Sequence, residues 1–455
     1  MKKVITYGSF DLFHEGHYRL LKRAKALGDW LIVGVTTEHY DESRGKMNVI
    51  DSLMDRIENV RKTGFADEII IEDHEGQKVE DIIKYGVDIF TVGSDWTGSF
   101  DYMKNYCQVV YLERTKDISS TMLRAKKYNI IRLGIIGTGR IAARMVPEVK
   151  YVSGINIDAV YNPHIESAES FAKHFEMNKY MDNLEEFYEE VDAVYIASPH
   201  ETHYEYIKSA ISHHKHVLCE KPMVLKRSQA EELFLMAEEN KVILMEAIKT
   251  AYCPGFNQLL SIVRSGAIGN VRDVEACFTK LENPLSRELT DTAYGGSFTE
   301  LGSYTLLPVL KILGENYQDL EFKCQTAANG LDIYTKAYFT YENAFATSKN
   351  GLGVKSEGQL IISGTRGYIL VDAPWWKTSS FEVCREDRSQ NEKYFSKFLK
   401  DGLRYEIGDF VSGINGFDEK RFKLTKGESI ALADIMERFL AERNNIKENR
   451  GVSDD

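Results

Sequence analysis

The sequence predicts an α/β protein with two successive parallel-sheet domains and a third, α+β domain carrying a mostly antiparallel sheet. Three observations carry this. Short apolar strands alternate with stretches of helical period through residues 1–128, and the alternation restarts over 129–250. Repeated strand–helix–strand units of this kind form parallel sheets covered on both faces. Over 251–455 the texture changes to period-two segments, the pattern of a sheet with one open face, ahead of a closing amphipathic helix. A chain of 455 residues also exceeds the size at which one core keeps growing.

In order, a strand is predicted at Val4–Tyr7, then a helix at Glu15–Leu27 with Leu20, Leu21, Ala24 and Leu27 at helical spacing. Strand Trp30–Val35 and helix Asp51–Thr63 follow. Short strands at Glu68–Ile71, Ile89–Val92 and Val109–Tyr111 precede a closing helix at Ser119–Lys127. The charged run Arg124-Ala125-Lys126-Lys127-Tyr128-Asn129 marks the first boundary. Strands at Ile130–Ile136, Ile157–Tyr161, Ala193–Ala197, His216–Cys219 and Val242–Ala247 then alternate with helices at Glu166–Phe175, Tyr204–His213 and Ser228–Asn240. Period-two strands are expected at Val271–Thr279, Phe322–Ala328, Tyr334–Thr340, Ala344–Lys349, Glu357–Gly364 and Gly367–Asp372, and a final helix at Ser429–Asn445.

Composition narrows the partners. A net charge of -12 argues against a nucleic-acid polyanion, while leaving room for small anionic substrates at local basic clusters. The six cysteines are scattered without metal-like or disulfide-like spacing, which fits a reducing compartment. Met1-Lys2-Lys3 leads straight into a strand rather than a signal-peptide core, and no apolar run approaches the roughly 20 residues of a membrane helix. No membrane partner and a cytoplasmic location are expected.

The first strand ends in Gly8-Ser9-Phe10-Asp11, and His14 and His17 follow at the start of a helix. A helix start offers free backbone N–H groups and the positive end of its dipole to a phosphate, and two imidazoles at i, i+3 reach the same anion. Read without context such a pair also suits a metal; its place directly after the first strand selects phosphate. This stretch resembles the signature of the cytidylyltransferase group of nucleotidyltransferases, and residues 1–127 resemble glycerol-3-phosphate cytidylyltransferases. Arg56, Gln77-Lys78, Gly93-Ser94-Asp95-Trp96, Tyr111-Leu112, Arg114-Thr115 and Ile118-Ser119-Ser120-Thr121 support the resemblance. It implies that His14 and His17 stabilise the transition state of nucleotidyl transfer. It also implies that Gly8, Phe10 and Asp95 border the nucleotide or acceptor, that Lys46 binds phosphate, and that Arg114 with Ser119, Ser120 and Thr121 holds the triphosphate. Mg²⁺ is expected with CTP, since it neutralises the leaving pyrophosphate, although no resident metal site is expected in the chain.

The second junction is Gly137-Thr138-Gly139-Arg140-Ile141-Ala142 between a strand and an apolar helix, the context a dinucleotide-binding turn requires. Gly137, Gly139, Arg140 and Ile141 are therefore expected at the cofactor. The next strand ends in Tyr161-Asn162-Pro163-His164, with neither the carboxylate that holds an NAD ribose nor an arginine for NADP, so both cofactors stay open and Asn162 is the candidate ribose contact. Ala197-Ser198-Pro199-His200 and Cys219-Glu220-Lys221-Pro222 resemble the Gfo/Idh/MocA oxidoreductase family over about residues 130–440. That resemblance implies a Rossmann domain at 129–250 and a substrate and oligomerisation domain at 251–455. It implies cofactor contacts from Ser198, His200 and Glu220, and makes Lys221 the first choice of catalytic residue. Glu300-Leu301-Gly302-Ser303-Tyr304 resembles the family's later motif, and that resemblance implies Tyr304 as the acid–base group, with Lys221 expected to draw its pKa toward the working range.

Two phosphate-binding junctions on one chain suggest two consecutive reactions on one metabolite. The expected pair is reduction of a keto-sugar phosphate such as ribulose 5-phosphate by NAD(P)H, and CTP-dependent activation of the polyol phosphate to a CDP-polyol for a teichoic-acid or capsular polymer. A homo-oligomer is expected by the second resemblance. Two alternatives stand beside this: a glycerol-phosphate cytidylyltransferase whose reductase-like half is only a binding or oligomerisation scaffold, and adenylyl rather than cytidylyl transfer.

Overall fold

The computed structural model describes residues 1–43, 49, 51–113, 130–416 and 423–451. The expected closing helix at Ser119–Lys127 lies outside the described residues. By its internal contacts the chain forms two compact units, Met1–Arg132 with Pro147–Asn156, and Leu133–Val146 with Ile157–Asp455.

The first unit holds a five-stranded sheet. Its strands are β1 (Lys3–Gly8), β2 (Trp30–Thr36), β3 (Glu68–Glu72), β4 (Ile89–Gly93) and β5 (Gln108–Leu112), in the order β3-β2-β1-β4-β5 and all parallel. Successive residues of β1 serve opposite cores. Val4 joins Leu31, Val33, Val35, Leu21 and Ile57 on one face. Ile5 and Tyr7 join Ile32, Phe90, Val92 and Ile82 on the other. Burial on both faces explains why these strands read as continuous apolar runs. Helices α1 (Glu15–Lys25) and α3 (Leu53–Lys62), with the short α2 (Glu38–Ser43) between them in sequence, supply the crossovers, and α4 (Gln77–Tyr85) adds one that the sequence pattern did not predict.

Most of the sheet β11-β10-β9-β6-β7-β8 belongs to the second unit; it is formed by β6 (Ile131–Ile136), β7 (Ile155–Tyr161), β8 (Lys179–Met181), β9 (Ala193–Ile196), β10 (His216–Glu220) and β11 (Leu244–Ala247). Strand order reverses between β6 and β9, and in open α/β sheets ligands bind where order reverses, at the carboxyl ends of the strands. An eight-stranded sheet comes next. Its strands are β12 (Val271–Thr279), β13 (Asp319–Thr326), β14 (Asp332–Thr340), β15 (Phe345–Gly351), β16 (Leu360–Gly364), β17 (Gly367–Val371), β18 (Ser380–Cys384) and β19 (Glu392–Phe395). Its pairings are antiparallel except β12 with β15. The sequence-predicted α/β class, with its antiparallel third part, is the observed one.

Two helices tie the Rossmann part to the eight-stranded sheet. The helix Ser297–Leu313 packs on β12 and β15 and buries Phe298, Leu301, Leu306, Leu307 and Leu310. The closing helix Lys426–Gly451 packs against it and inserts Ala433 among Val217, Leu233 and Ala237 of the Rossmann core. Residues on both sides of position 250 thus share one unit.

Candidate active sites

At the first junction the backbone leaves β1 through left-handed conformations at Phe10 (φ 52) and Leu12 (φ 48). Arg56 on α3 holds this turn. Its fully buried guanidinium donates Nη1 to the carbonyl oxygens of Ser9 (3.0 Å) and Thr36 (2.8 Å) and Nε to that of Asp51 (3.0 Å). Asp11 Oδ1 accepts the Asp51 N–H (2.8 Å), and Asp51 Oδ2 accepts that of Leu12 (2.9 Å). The Phe10 side chain is buried against His17 at 5.5 Å between ring centroids, so only its main chain can border a ligand.

His14 is the N-cap of α1. Its Nδ1 accepts the N–H groups of Gly16 (3.0 Å) and His17 (3.4 Å). A ring nitrogen that accepts carries no proton, so the proton of the neutral ring is on Nε2, which is a donor. The His17 ring stacks on it at 3.8 Å. Gly16 is what permits this approach, because a Cβ there would meet His14 Cε1 at 2.9 Å. The structure thus brings His14, His17, Gly8 and the Phe10 main chain to the end of β1. Asp95 falls in a single helical turn after β4, Ser94–Trp96. Lys46, Arg114, Ser119, Ser120 and Thr121 lie outside the described residues.

The second junction sits where β6 meets the helix Arg140–Val149. Gly137 has φ 101, and a Cβ on it would stand 2.7 Å from the Ala197 carbonyl oxygen after β9, so this turn admits no side chain. A Cβ on Gly139 would meet nothing within 4 Å, which leaves open space ahead of the helix start. The residues present therefore fit a dinucleotide pyrophosphate. Asn162 follows β7, donates Nδ2 to Thr138 Oγ1 (2.8 Å) and accepts the His164 N–H (2.9 Å), which fixes it beside the glycine turn. Ile141 is on the first helical turn, and the exposed Arg140 reaches Glu288 (3.1 Å).

Ser198 and His200 leave the neighbouring strand end of β9. Burial, with Lys221 nearby, pushes the His200 pKa well below the usual imidazole range, so the ring is neutral. Among the described residues its Nδ1 makes no hydrogen bond, and it stands 3.9 Å from Glu300 Oε1. His203 lies between the carbonyl oxygens of Pro222 and Ser198, each at 3.0 Å, and so ties the β9 and β10 loops together. Among the described residues no group of His, Cys, Asp and Glu is arranged to hold a metal.

Lys221 follows β10, and Lys221 Nζ donates to the Glu300 carbonyl oxygen (3.0 Å) and lies 5.6 Å from the centre of the Tyr304 ring. Glu220 turns inward. Its carboxylate accepts the Tyr195 hydroxyl (2.5 Å) and the Lys221 N–H (3.3 Å), and burial raises its pKa. The Glu300 carboxylate faces Arg287 (3.4 Å). Tyr304 makes no hydrogen bond through its hydroxyl among the described residues. Its pKa runs opposite to the sequence expectation: burial, then the negative charges of Glu220 and Glu406, push it well above the usual phenol value. Tyr304 is therefore a protonated donor throughout the working range. Tyr195 and Arg287, which orient Glu220 and Glu300, were not singled out from sequence; neither belongs to a motif, and only the strand pairing brings Tyr195 beside β10.

The cytidylyltransferase-like family model matches residues 5–126, the NAD-binding Rossmann model of the Gfo/Idh/MocA oxidoreductase family matches 131–248, and that family's C-terminal-domain model matches 256–370. The chain belongs to both families. Its cytidylyltransferase part is 47% identical over 124 residues to the glycerol-3-phosphate cytidylyltransferase of Bacillus spizizenii, covering 27% of this chain and 95% of that protein. Its oxidoreductase part is 28% identical over 318 residues to the scyllo-inositol 2-dehydrogenase (NADP⁺) IolU of Bacillus subtilis, covering 68% of this chain and 95% of the relative. It also shares its fold with a 3-ketoreductase from Actinomadura kijaniata, with a TM-score of 0.59 at 24% identity over 68% of this chain and 96% of the other. The protein thus joins a cytidylyltransferase, acting with CTP on a phosphate-bearing substrate, to an NAD(P)-dependent oxidoreductase. Among the described residues no helix is long and apolar enough to cross a membrane.

Proposed function

We propose that the chain makes a CDP-polyol in two steps. NADPH reduces a keto-sugar phosphate, for example ribulose 5-phosphate, to a polyol phosphate, and CTP converts that product to its CDP derivative with release of pyrophosphate. The product would supply a cell-surface polymer of the teichoic-acid or capsular kind. The observation that carries this reading is the presence on one chain of a 47%-identical match to a glycerol-3-phosphate cytidylyltransferase and an intact Lys221–Tyr304 pair. Residues 1–128, 129–250 and 251–455 are read as the cytidylyl-transfer, cofactor-binding and substrate parts. The chain is also read as a homo-oligomer, which its mass in solution tests.

In the first site His14 donates Nε2–H, and His17 adds a second imidazole, to charge developing on the α-phosphate of CTP, where preorganised donors act most strongly. Lys46, Arg114, Ser119, Ser120 and Thr121 are assigned the triphosphate, and Mg²⁺ is expected to accompany it. In the second site Gly137, Gly139, Arg140, Ile141, Asn162, Ser198 and His200 hold the dinucleotide. The absence of a carboxylate after β7 favours NADPH, the cofactor named for two of the relatives. The bound nicotinamide supplies the hydride. Tyr304 gives its proton to the carbonyl oxygen, and the Lys221 ammonium stabilises the oxyanion as it forms. Glu220, held by Tyr195, positions Lys221.

The test is a panel of ketose phosphates with NADPH and CTP. One member should support both NADPH oxidation and pyrophosphate release; if no member supports both, the reading is wrong. The identity to glycerol-3-phosphate cytidylyltransferases favours a second reading, in which glycerol 3-phosphate is the acceptor, so dihydroxyacetone phosphate belongs in the panel.

A further inference from the structure

The two-step reading leaves one requirement without a residue. A keto-sugar phosphate carries a dianion, and the reductase site must receive that group as well as the carbonyl. β10 and β11 run parallel with Glu220 opposite Ala247, so Lys221 and Lys249, just past these strand ends, emerge at the same edge of the sheet. Lys249 opens the short helix Lys249–Tyr252 and is only 8% exposed. Among the described residues its ammonium makes no hydrogen bond and has no carboxylate at ion-pair distance. Burial and Lys377 push its pKa down, while Glu406 and Asp401 act on it the other way from beyond that distance. Removing an ammonium from water without a partner is costly, and the cost is recovered when an anion arrives.

Contacts of the next residue, Thr250, lead to the carbonyl end. Thr250 Oγ1 donates to the Trp376 carbonyl oxygen (2.9 Å), and the Trp376 ring stacks on Phe278 at 3.6 Å. Phe278 meets Tyr304 at 5.3 Å, and Lys221 lies over that ring. Glu220 feels the charge of Lys221 and of Lys249. Resting on the two-step reading, we infer that Lys249 binds the phosphate of the keto substrate and so selects phosphorylated over neutral ketoses. A buried ammonium discriminates in this way because a neutral ketose leaves the charge unpaired.

The test uses the full chain and its Lys249→Met and Lys249→Arg variants, with NADPH, against ribulose 5-phosphate and ribulose. Lys249→Met should raise KM for the phosphorylated ketose at least about tenfold, with KM for ribulose and the Kd for NADPH unchanged, and Lys249→Arg should recover most of the loss. An equal change for both ketoses, or none, overturns the inference. If the natural chain reduces neither ketose, the two-step reading fails for this substrate, and a second measurement decides on Lys249 alone. That measurement is reductive methylation of Lys249 with NADP⁺ present, read by peptide mass with and without inorganic phosphate. Protection by phosphate supports the anion site. Equal labelling in both, or no labelling without phosphate, overturns it.

Discussion

Replacing His14 by alanine removes the acceptor for two N–H groups at the start of α1 and, in the same step, the Nε2–H donor. The two losses have different sizes. An N-cap exchanged for alanine costs about 1 kcal/mol, which lowers the melting temperature of a unit of this size by about 4 °C. Loss of one donor to charge developing in a transition state costs about 10²–10³ in kcat, or about 3–4 kcal/mol. Asparagine separates them, since its side-chain oxygen can cap the helix while offering no imidazole. His14→Ala should therefore lose both stability and rate, and His14→Asn should regain the stability without the rate. Pyrophosphate release from CTP with glycerol 3-phosphate and a thermal unfolding scan measure the two quantities. A His14→Asn variant with more than about a tenth of the natural rate would refute the catalytic assignment. A His14→Ala variant that melts with the natural protein would refute the capping argument.

Tyr304→Phe should lower the rate of carbonyl reduction by about 10²–10⁴ while the Kd for NADPH, read by fluorescence, stays constant. Lys221→Met should abolish reduction yet leave CTP-dependent pyrophosphate release from a supplied polyol phosphate intact. Gly137→Ala forces a Cβ to 2.7 Å from the Ala197 carbonyl oxygen at positive φ, so NADPH binding should be lost and the second unit should melt earlier. Glu246 is buried on β11, accepts the Met223 N–H (3.0 Å), and burial raises its pKa from 4.5 to about 7. The folded state therefore holds the proton more tightly than the unfolded chain. The resulting stability is fully present below about pH 4.5 and is lost as pH rises toward about 7, a range of roughly 3 kcal/mol. Glu246→Gln should flatten that part of the melting-temperature profile, and a profile parallel to that of the natural protein would contradict the assignment.

Much of the architecture was legible because burial on both faces of a parallel sheet writes apolar runs, and half-open antiparallel strands write alternation. β12 was read with its observed ends, Val271–Thr279, and β1 within a residue at each end. The helix Ser297–Leu313 gives no helical signal in the sequence. Most of it is buried, so it has no polar stripe from which a helical period could be counted. It carries Tyr304, which was recognised through its motif and not through its element.

The sequence alone determined which chemistries the chain holds, because a glycine turn or a histidine pair after a strand is local and survives in one dimension. Folding decided what those groups can do. Only the packed structure turns His14 into a cap that must donate from Nε2, keeps the Tyr304 phenol protonated, and leaves the Lys249 ammonium without a partner among the described residues. Each of these depends on desolvation and on neighbours distant along the chain, such as Glu220 at Tyr304 and Lys377 at Lys249, and neither quantity is encoded in any short stretch of residues.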